Sequence, residues 1–379
     1  MRVLHITTGL GNGGAEAVLF GLVTGDSAEN VHQIVSLTDA GYYGERLQRA
    51  GLTVRALDMP PGKITPSAIA ELYRIIRAAR VDRVQTWMYH ANILGGVLAR
   101  LAGARVIWGI HHSDLDAAKV SFSTRLAARV CAWLSAFVPA RIVYCSRKAA
   151  DVHVGLGYSR RRTVVVNNGV DVRRFKPDAD ARARVRAEWG VGEGQLLLGM
   201  VARWDPIKDH GTLFAALAHV GSRLPDDCRL VLVGPGMDCS NADLMTLMTR
   251  LGVHHRVSLA GARADVPAVM NALDLHILSS SGEAFGNVSI EAMACGVPAI
   301  VTAAGAGAEI VGDTGWVVPV RMPRVLGETI VTAIESMACA DDWSKRKDAC
   351  RTRVVEQFSL LRMVAGYRKV WHDASVAGE

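Results

Sequence analysis

Short apolar runs alternate along this chain with segments whose apolar residues recur every three or four positions. The runs at 2–7, 31–37, 52–57, 84–86, 105–110 and 142–145 read as strands, and 15–22, 64–79 and 92–101 as helices between them. A second alternation begins after residue 195. Strands are expected at 196–201, 230–233, 257–260, 275–278 and 299–301, with helices at 212–220, 242–251, 266–272 and 287–294. Strands that alternate with helices predict a parallel sheet covered on both faces. The pattern is interrupted at 167–177 (NNGVDVRRFKP), where Asn, Gly, Asp and Pro suit a crossing between domains. The expectation is α/β, with two consecutive βα domains of similar size. Ligands in such sheets lie beyond the carboxyl ends of the strands, so two facing sheets would form a cleft.

Length and composition agree with this reading. At 379 residues the chain exceeds one ordinary hydrophobic core, and 50% hydrophobic with 21% charged residues describes a folded α/β protein. No apolar run reaches membrane-spanning length, and the opening MRVLHITTGLGNGG turns on glycine too early for a signal-peptide core. The seven cysteines lack C-x-x-C or Cys/His spacing and read as reduced, cytosolic thiols. The net charge of +7 gathers in runs at 160–162, 173–174 and 182–186. No nucleic-acid motif accompanies it, so nucleic acid is not expected as a partner. The segment 124–138 alternates Arg125 and Arg129 with Leu, Val, Trp133 and Phe137. Its apolar face reads first as ordinary core. Contact with an anionic membrane surface, at the inner face of the cytoplasmic membrane, is the other reading.

Several residues carry candidate chemistry. In SGEAFGNVSIEAMACG (281–296), Glu283 lies in a loop after an apolar run and Glu291 in a helix. Asn287 is the expected N-cap of that helix, and Gly296 and Pro298 its stop. First-turn N–H groups face phosphate well, and the carboxylates accept hydrogen bonds from sugar hydroxyls. Arg203 and Lys208 follow a strand and precede a helix, where two long cations can neutralise a leaving diphosphate. Gly234, with Pro235 and Gly236, marks another strand end. His111 and His112 follow the strand at 105–110 and could bind a hydroxyl or move a proton. Asp114 and Asp116 spell D-x-D, a weak metal signal. Gly9, Gly11 and Gly14 satisfy G-x-G-x-x-G, with Asp39 beyond the second strand. That leaves an NAD-dependent oxidoreductase open as an alternative.

Together these residues resemble glycosyltransferase family 4, retaining nucleotide-sugar-dependent enzymes of the GT-B fold. The resemblance spans nearly the whole chain. It is strongest in VVVNNGVDVRRFKP, LGMVARWDPIKDH, LVLVGPG and the long stretch from RVSLAGARADVP through SSSGEAFGNVSIEAMACGVPAIVT, then DTGWVVP. HITTGLGNGGAE, TWMYHAN around Asn92 and Ser146 of YCSRKAAD carry it in the first half. The resemblance implies an acceptor-binding domain at 1–166, a nucleotide-sugar domain at 167–357 and a C-terminal helix at 358–379 packing back on the first. It implies that Arg203 and Lys208 hold the donor diphosphate, that Glu291 binds the ribose and that Glu283 contacts the donor sugar. Backbone groups at Phe285, Gly286 and Asn287 would meet sugar and phosphate, with Gly234 nearby. Gly13, Gly14 and Asn92 would line the junction with the acceptor, and His111 or His112 would be the cleft histidine. No metal or other cofactor is implied. A UDP-sugar donor, and a glycan or lipid-linked hydroxyl acceptor, are expected. Ala284 and Gly286 depart from a frequent glycine and proline of the family pattern, which bears on donor preference. A non-catalytic sugar-nucleotide binding module is a further alternative.

Overall fold

The computed structural model describes residues 1–26, 28–60, 62–113 and 120–373. The chain forms two compact units. One joins Met1–Gly169 to the chain from Leu360 onward, and the other is Val170–Ser359.

The first unit is built on seven strands: β1 (Arg2–Thr7), β2 (Val31–Ser36), β3 (Thr53–Ala56), β4 (Arg83–Trp87), β5 (Arg105–Ile110), β6 (Arg141–Tyr144) and β7 (Thr163–Val165). Their order is β3-β2-β1-β4-β5-β6-β7 and every pairing is parallel. β1 and β4 are almost wholly buried, as expected of parallel strands covered on both faces. The C-terminal helix Leu360–Asp373 belongs to this unit and packs on the helix Gly14–Asp26. Its Trp371 is fully buried and donates from Nε1 to Gln85 Oε1 at 3.2 Å, while its carbonyl accepts from Arg83 Nε at 2.7 Å. Burying a side chain of that size stabilises by roughly 3 kcal/mol or more.

The second unit has six strands: β8 (Leu197–Val201), β9 (Arg229–Val233), β10 (Val257–Leu259), β11 (Leu275–Leu278), β12 (Ala299–Thr302) and β13 (Trp316–Val318). Their order is β10-β9-β8-β11-β12-β13, again parallel throughout. In both sheets the strand order reverses beside the first strand. The crevice where a ligand can lie therefore opens past β1 and β4 in one unit and past β8 and β11 in the other.

Two expectations are corrected here. The helix Phe122–Leu134 turns its small residues, Ala127, Ala128, Cys131 and Ala132, to the interior. Its large apolar residues Phe122, Leu126, Val130 and Trp133 face outward, with Trp133 71% exposed. The bulky stripe is therefore surface and not core, because only small side chains let this helix approach its neighbour Met88–Leu101 closely. The helix Asn287–Ala294 is capped not by Asn287 but by Gly286, whose φ of 98° only glycine adopts without strain. Asn287 is its first residue.

All seven cysteines are free thiols, with Cys239 and Cys339 exposed and the others buried. Among the described residues no helix is long and apolar enough to cross a membrane.

Candidate functional site

The crevice of the second unit draws its side chains from loops that leave adjacent strands. β8 runs into Arg203 and a short 3-10 turn, Pro206–Lys208, while β11 runs into Ser279–Glu283. The two loops are laced together. Ser281 N donates to Ile207 O at 2.8 Å, and Ser279 Oγ donates to the carbonyls of Lys208 and Asp209, each at 3.1 Å. Asp205 fixes the turn by accepting from Ile207 N at 2.9 Å, and Asp209 caps the next helix by accepting from Thr212 N.

This lacing brings Lys208 Nζ onto Glu283 Oε1 as a largely buried ion pair. Ser280 Oγ donates to the same carboxylate oxygen at 2.7 Å, and Thr302 Oγ1 at the end of β12 holds the Ser280 carbonyl at 2.5 Å. Arg203 reaches outward and pairs with Asp205 at 2.9 Å. The two cations thus differ: Lys208 is tied to the glutamate, and Arg203 stands at the rim, 57% exposed.

Glycine shapes the floor. Gly234 has a φ of 147°, and a Cβ there would lie 2.1 Å from Ala202 O. Gly305, with a φ of 54°, would put a Cβ 2.1 Å from the Glu283 carbonyl oxygen. No other residue fits at either place. Gly305, Ser279, Ser280 and Thr302 escaped the sequence analysis. The signal was the serine run before Glu283 and the TAAGAG segment after β12.

Beyond Glu283, Phe285 is buried against Phe358 with ring centroids 5.9 Å apart. The helix begins at Asn287, so its first-turn N–H groups point back toward the Glu283 loop. Glu291 lies one turn further along and is half-buried. Desolvation pushes its carboxyl up to about 7, against the pull of the Arg174 guanidinium.

At the corresponding edge of the first unit, β1 leads into the glycine turn. Gly13 N donates to Gly11 O at 3.1 Å, and Gly14 opens the helix Gly14–Asp26. Beside it the two histidines have different places. His111 is 8% exposed, stacked on Trp87 at 5.1 Å, and its Nε2 meets Tyr367 Oη at 3.3 Å. Burial lowers its pKa to about 4, with Asn168 opposing, so the ring is neutral. His112 is half-buried, with Nδ1 3.4 Å from Tyr89 Oη, and is the more open of the pair. Asn92 is fully buried, and its Oδ1 accepts from Thr86 Oγ1 at 2.6 Å. That makes it an internal anchor of its helix instead of a lining residue. Asp39 is exposed after β2. Asp114 and Asp116 lie outside the described residues. Among the described residues no group of three or more His, Cys, Asp and Glu side chains is arranged to hold a metal ion.

Residues 3–174 match the family model for Glycosyltransferase Family 4, and residues 195–336 that for Glycosyl transferases group 1. N-acetyl-alpha-D-glucosaminyl L-malate synthase of Bacillus anthracis is 29% identical over 55% of this chain and 53% of its own. The chain thus spans about half the length of that relative. A UDP-Gal:alpha-D-GlcNAc-diphosphoundecaprenol alpha-1,3-galactosyltransferase of Escherichia coli is 23% identical over 82% of this chain and 80% of its own. Among solved structures, HepE of Anabaena in complex with UDP superposes with a TM-score of 0.85 at 23% identity, covering 98% of this chain and 100% of that one. The two Rossmann-like units are those of the GT-B fold. A glycine fingerprint alone also fits a dinucleotide fold, but here it opens a chain whose two halves both match glycosyltransferases. The chain belongs to the family 4, group 1 glycosyltransferases.

Proposed function

We propose that the protein is a retaining, metal-independent glycosyltransferase that moves a sugar from a UDP-sugar to a hydroxyl acceptor. The observation that carries this reading is the Lys208–Glu283 pair at the crevice between β8 and β11, beside the start of the helix Asn287–Ala294. A lysine at this place can leave its carboxylate partner for a diphosphate oxygen, with Arg203 adding a second cation from the rim. Glu283, released, accepts from a donor-sugar hydroxyl. Glu291 accepts from the ribose, and backbone N–H groups at Phe285, Gly286 and Asn287 take sugar and phosphate oxygens. The cations and helix N-terminus supply the positive charge that a metal would otherwise bring to the leaving group.

In the step itself, the acceptor oxygen bonds to the anomeric carbon on the face that the diphosphate leaves. The bond from that carbon to the diphosphate oxygen breaks, and a departing phosphate oxygen takes the hydroxyl proton. No covalent enzyme intermediate is invoked. The first unit binds the acceptor, with Gly13 and Gly14 allowing close approach and His112 offering a hydroxyl partner.

Uridine as the base is supported by HepE, solved with UDP, and by the Escherichia coli relative, named for UDP-Gal. That relative's acceptor is a diphosphoundecaprenol glycan. The exposed stripe Phe122, Leu126, Val130 and Trp133, flanked by Arg125 and Arg129, supports a lipid-linked acceptor met at an anionic membrane surface. The test is a panel of nucleotide sugars scored by thermal shift and by transfer. Stabilisation by UDP-sugars, with transfer abolished in Lys208→Ala and Glu283→Gln, is expected. Full transfer by both variants would overturn the site.

A further inference from the structure

Three arginine runs stand out in the sequence, and the structure accounts for two. In the run 182–186, Arg182 and Arg186 hold Asp274 at 2.6 and 3.2 Å and cap nearby carbonyls, while Arg184 pairs with Asp265. Arg173 pairs with Asp171. The run at 160–162 is different. Arg161 and Arg162 line a cavity of about 530 Å³ together with Arg100, Arg105 and Arg141. None of the residues lining it is acidic.

Its place in the fold separates it from the transfer site. Arg105 and Arg141 are the first residues of β5 and β6, and Arg162 immediately precedes β7. All three stand at the amino edge of the sheet, whereas His111 and the glycine turn stand at the carboxyl edge. Six residues of β5 put roughly 20 Å between the two edges.

Like charges are costly to gather. Arg162 is half-buried and its pKa is lowered, first by desolvation and then by Arg161, Arg100 and Arg141. Its guanidinium is nevertheless anchored, donating to the Pro139 carbonyl, and Arg141 donates to the Ala140 carbonyl at 3.1 Å. These bonds aim the forks instead of neutralising them. Gly103, Ala104 and Ala140 also line the cavity and add no side-chain charge or bulk. Guanidinium forks match phosphate oxygens in pairs, and several converging ones favour a ligand with more than one negative charge. A cavity of this volume holds a small ligand or a headgroup.

We propose that this cavity is an oxyanion site that takes a multiply charged phosphate group, a phosphomonoester or a pyrophosphate. Two sources present that chemistry, the headgroup of an acidic lipid and a soluble pyrophosphate. The site is independent of the donor reading, since it shares no residue with the crevice of the second unit.

The test is calorimetric titration of inorganic pyrophosphate into the full chain carrying Arg203→Ala and Lys208→Ala, which removes the donor diphosphate contacts. Pyrophosphate binding is expected to persist in that background. Adding Arg100→Glu and Arg161→Glu, both at exposed positions, is expected to weaken it by at least about tenfold. The same two reversals at Arg49 and Arg77, exposed and outside the cavity, are expected to leave it within about twofold, which separates local from net charge. If the double reversal lowers the melting temperature, Arg161→Gln alone is compared with Arg161→Lys, and the glutamine variant is expected to bind more weakly than the lysine variant. Co-sedimentation with phosphatidic acid vesicles against phosphatidylcholine vesicles identifies the source. Vesicle binding that needs Arg100 and Arg161 and is displaced by pyrophosphate assigns the lipid headgroup, and pyrophosphate binding without vesicle binding assigns the soluble ligand. Equal pyrophosphate affinity in the cavity variants and their background would overturn the proposal.

Discussion

The crevice past β8 and β11 and the one past β1 and β4 occupy the same topological place in their sheets, yet they are furnished in opposite ways. In the second unit the crevice holds a charged pair, Lys208 and Glu283, fixed by serine and threonine hydroxyls. In the first unit the crevice is edged by glycine, and aromatic and histidine rings are packed beneath it. Trp87 Nε1 donates to His5 at 3.2 Å, His5 meets His32 at 3.0 Å, and His32 meets Asp26 at 3.0 Å. His111 and Tyr367 both stack on this Trp87, 5.1 and 5.9 Å from it. A diphosphate needs charge, and a hydroxyl acceptor needs shape and a few neutral hydrogen-bond partners. On the proposed function, one topology would serve two different recognition tasks through the loops at its strand ends.

The largest way to break this contrast is to remove the ring stack. Trp87→Ala is expected to destabilise the first unit by about 3–5 kcal/mol, read by denaturant unfolding, because a large side chain leaves a buried cavity. Lys208→Ala comes next. It is expected to lower kcat by about 10²–10³-fold, as loss of one preorganised cation at a leaving group does, and to lower the melting temperature as well, because the pair it breaks is largely buried.

The pH profile separates the units further. Burial lowers His111 and His153 in the first unit to about 4, and His210 and His276 in the second to about 4 and about 3. A depressed histidine binds fewer protons folded than unfolded. Stability is therefore complete above pH about 6.5 and falls toward pH 4, by about 1.4 kcal/mol per pKa unit at each site. Glu291 has the opposite sign. Its raised value means that it adds stability below pH about 4.5 and loses it as the pH rises to about 7. Glu291→Gln is expected to flatten that loss, by on the order of 1–3 kcal/mol in unfolding free energy between pH 4.5 and 7. An unchanged pH slope would count against a desolvated carboxyl.

The smallest stability effect is expected on the exposed stripe. Trp133→Ala should change unfolding by no more than about 0.5 kcal/mol while reducing retention on acidic vesicles. A large loss of stability would return that helix face to the core.

How far the sequence revealed this molecule depended on whether a feature was local. β1 and β11 were legible residue for residue, because strands buried on both faces are continuous apolar runs. β7 and β13, three residues each, and the polar helix Gly41–Arg49 were not, since short edge elements carry too little pattern. The helix Phe122–Leu134 was legible as a helix but inverted in facing. Hydrophobicity ranks Trp133 above Ala128, whereas close helix packing selects the smaller side chain. Glu283, Glu291, Arg203 and Lys208 were visible from spacing. The pairing of Lys208 with Glu283, 75 positions apart, was not, and neither was the separation of His111 from His112, which adjacent positions in a sequence cannot reveal.

The central claim is that Lys208 serves the donor diphosphate once it leaves Glu283. Calorimetric titration of UDP into the wild-type chain, Lys208→Ala and Glu283→Gln tests it most directly, with transfer measured alongside. Removing the glutamate charge frees the lysine, so Glu283→Gln is expected to bind UDP at least as tightly as wild type while transfer collapses. Lys208→Ala is expected to bind it about tenfold or more weakly. Equal UDP affinity in all three proteins, or weaker binding in Glu283→Gln with transfer retained, would contradict the account.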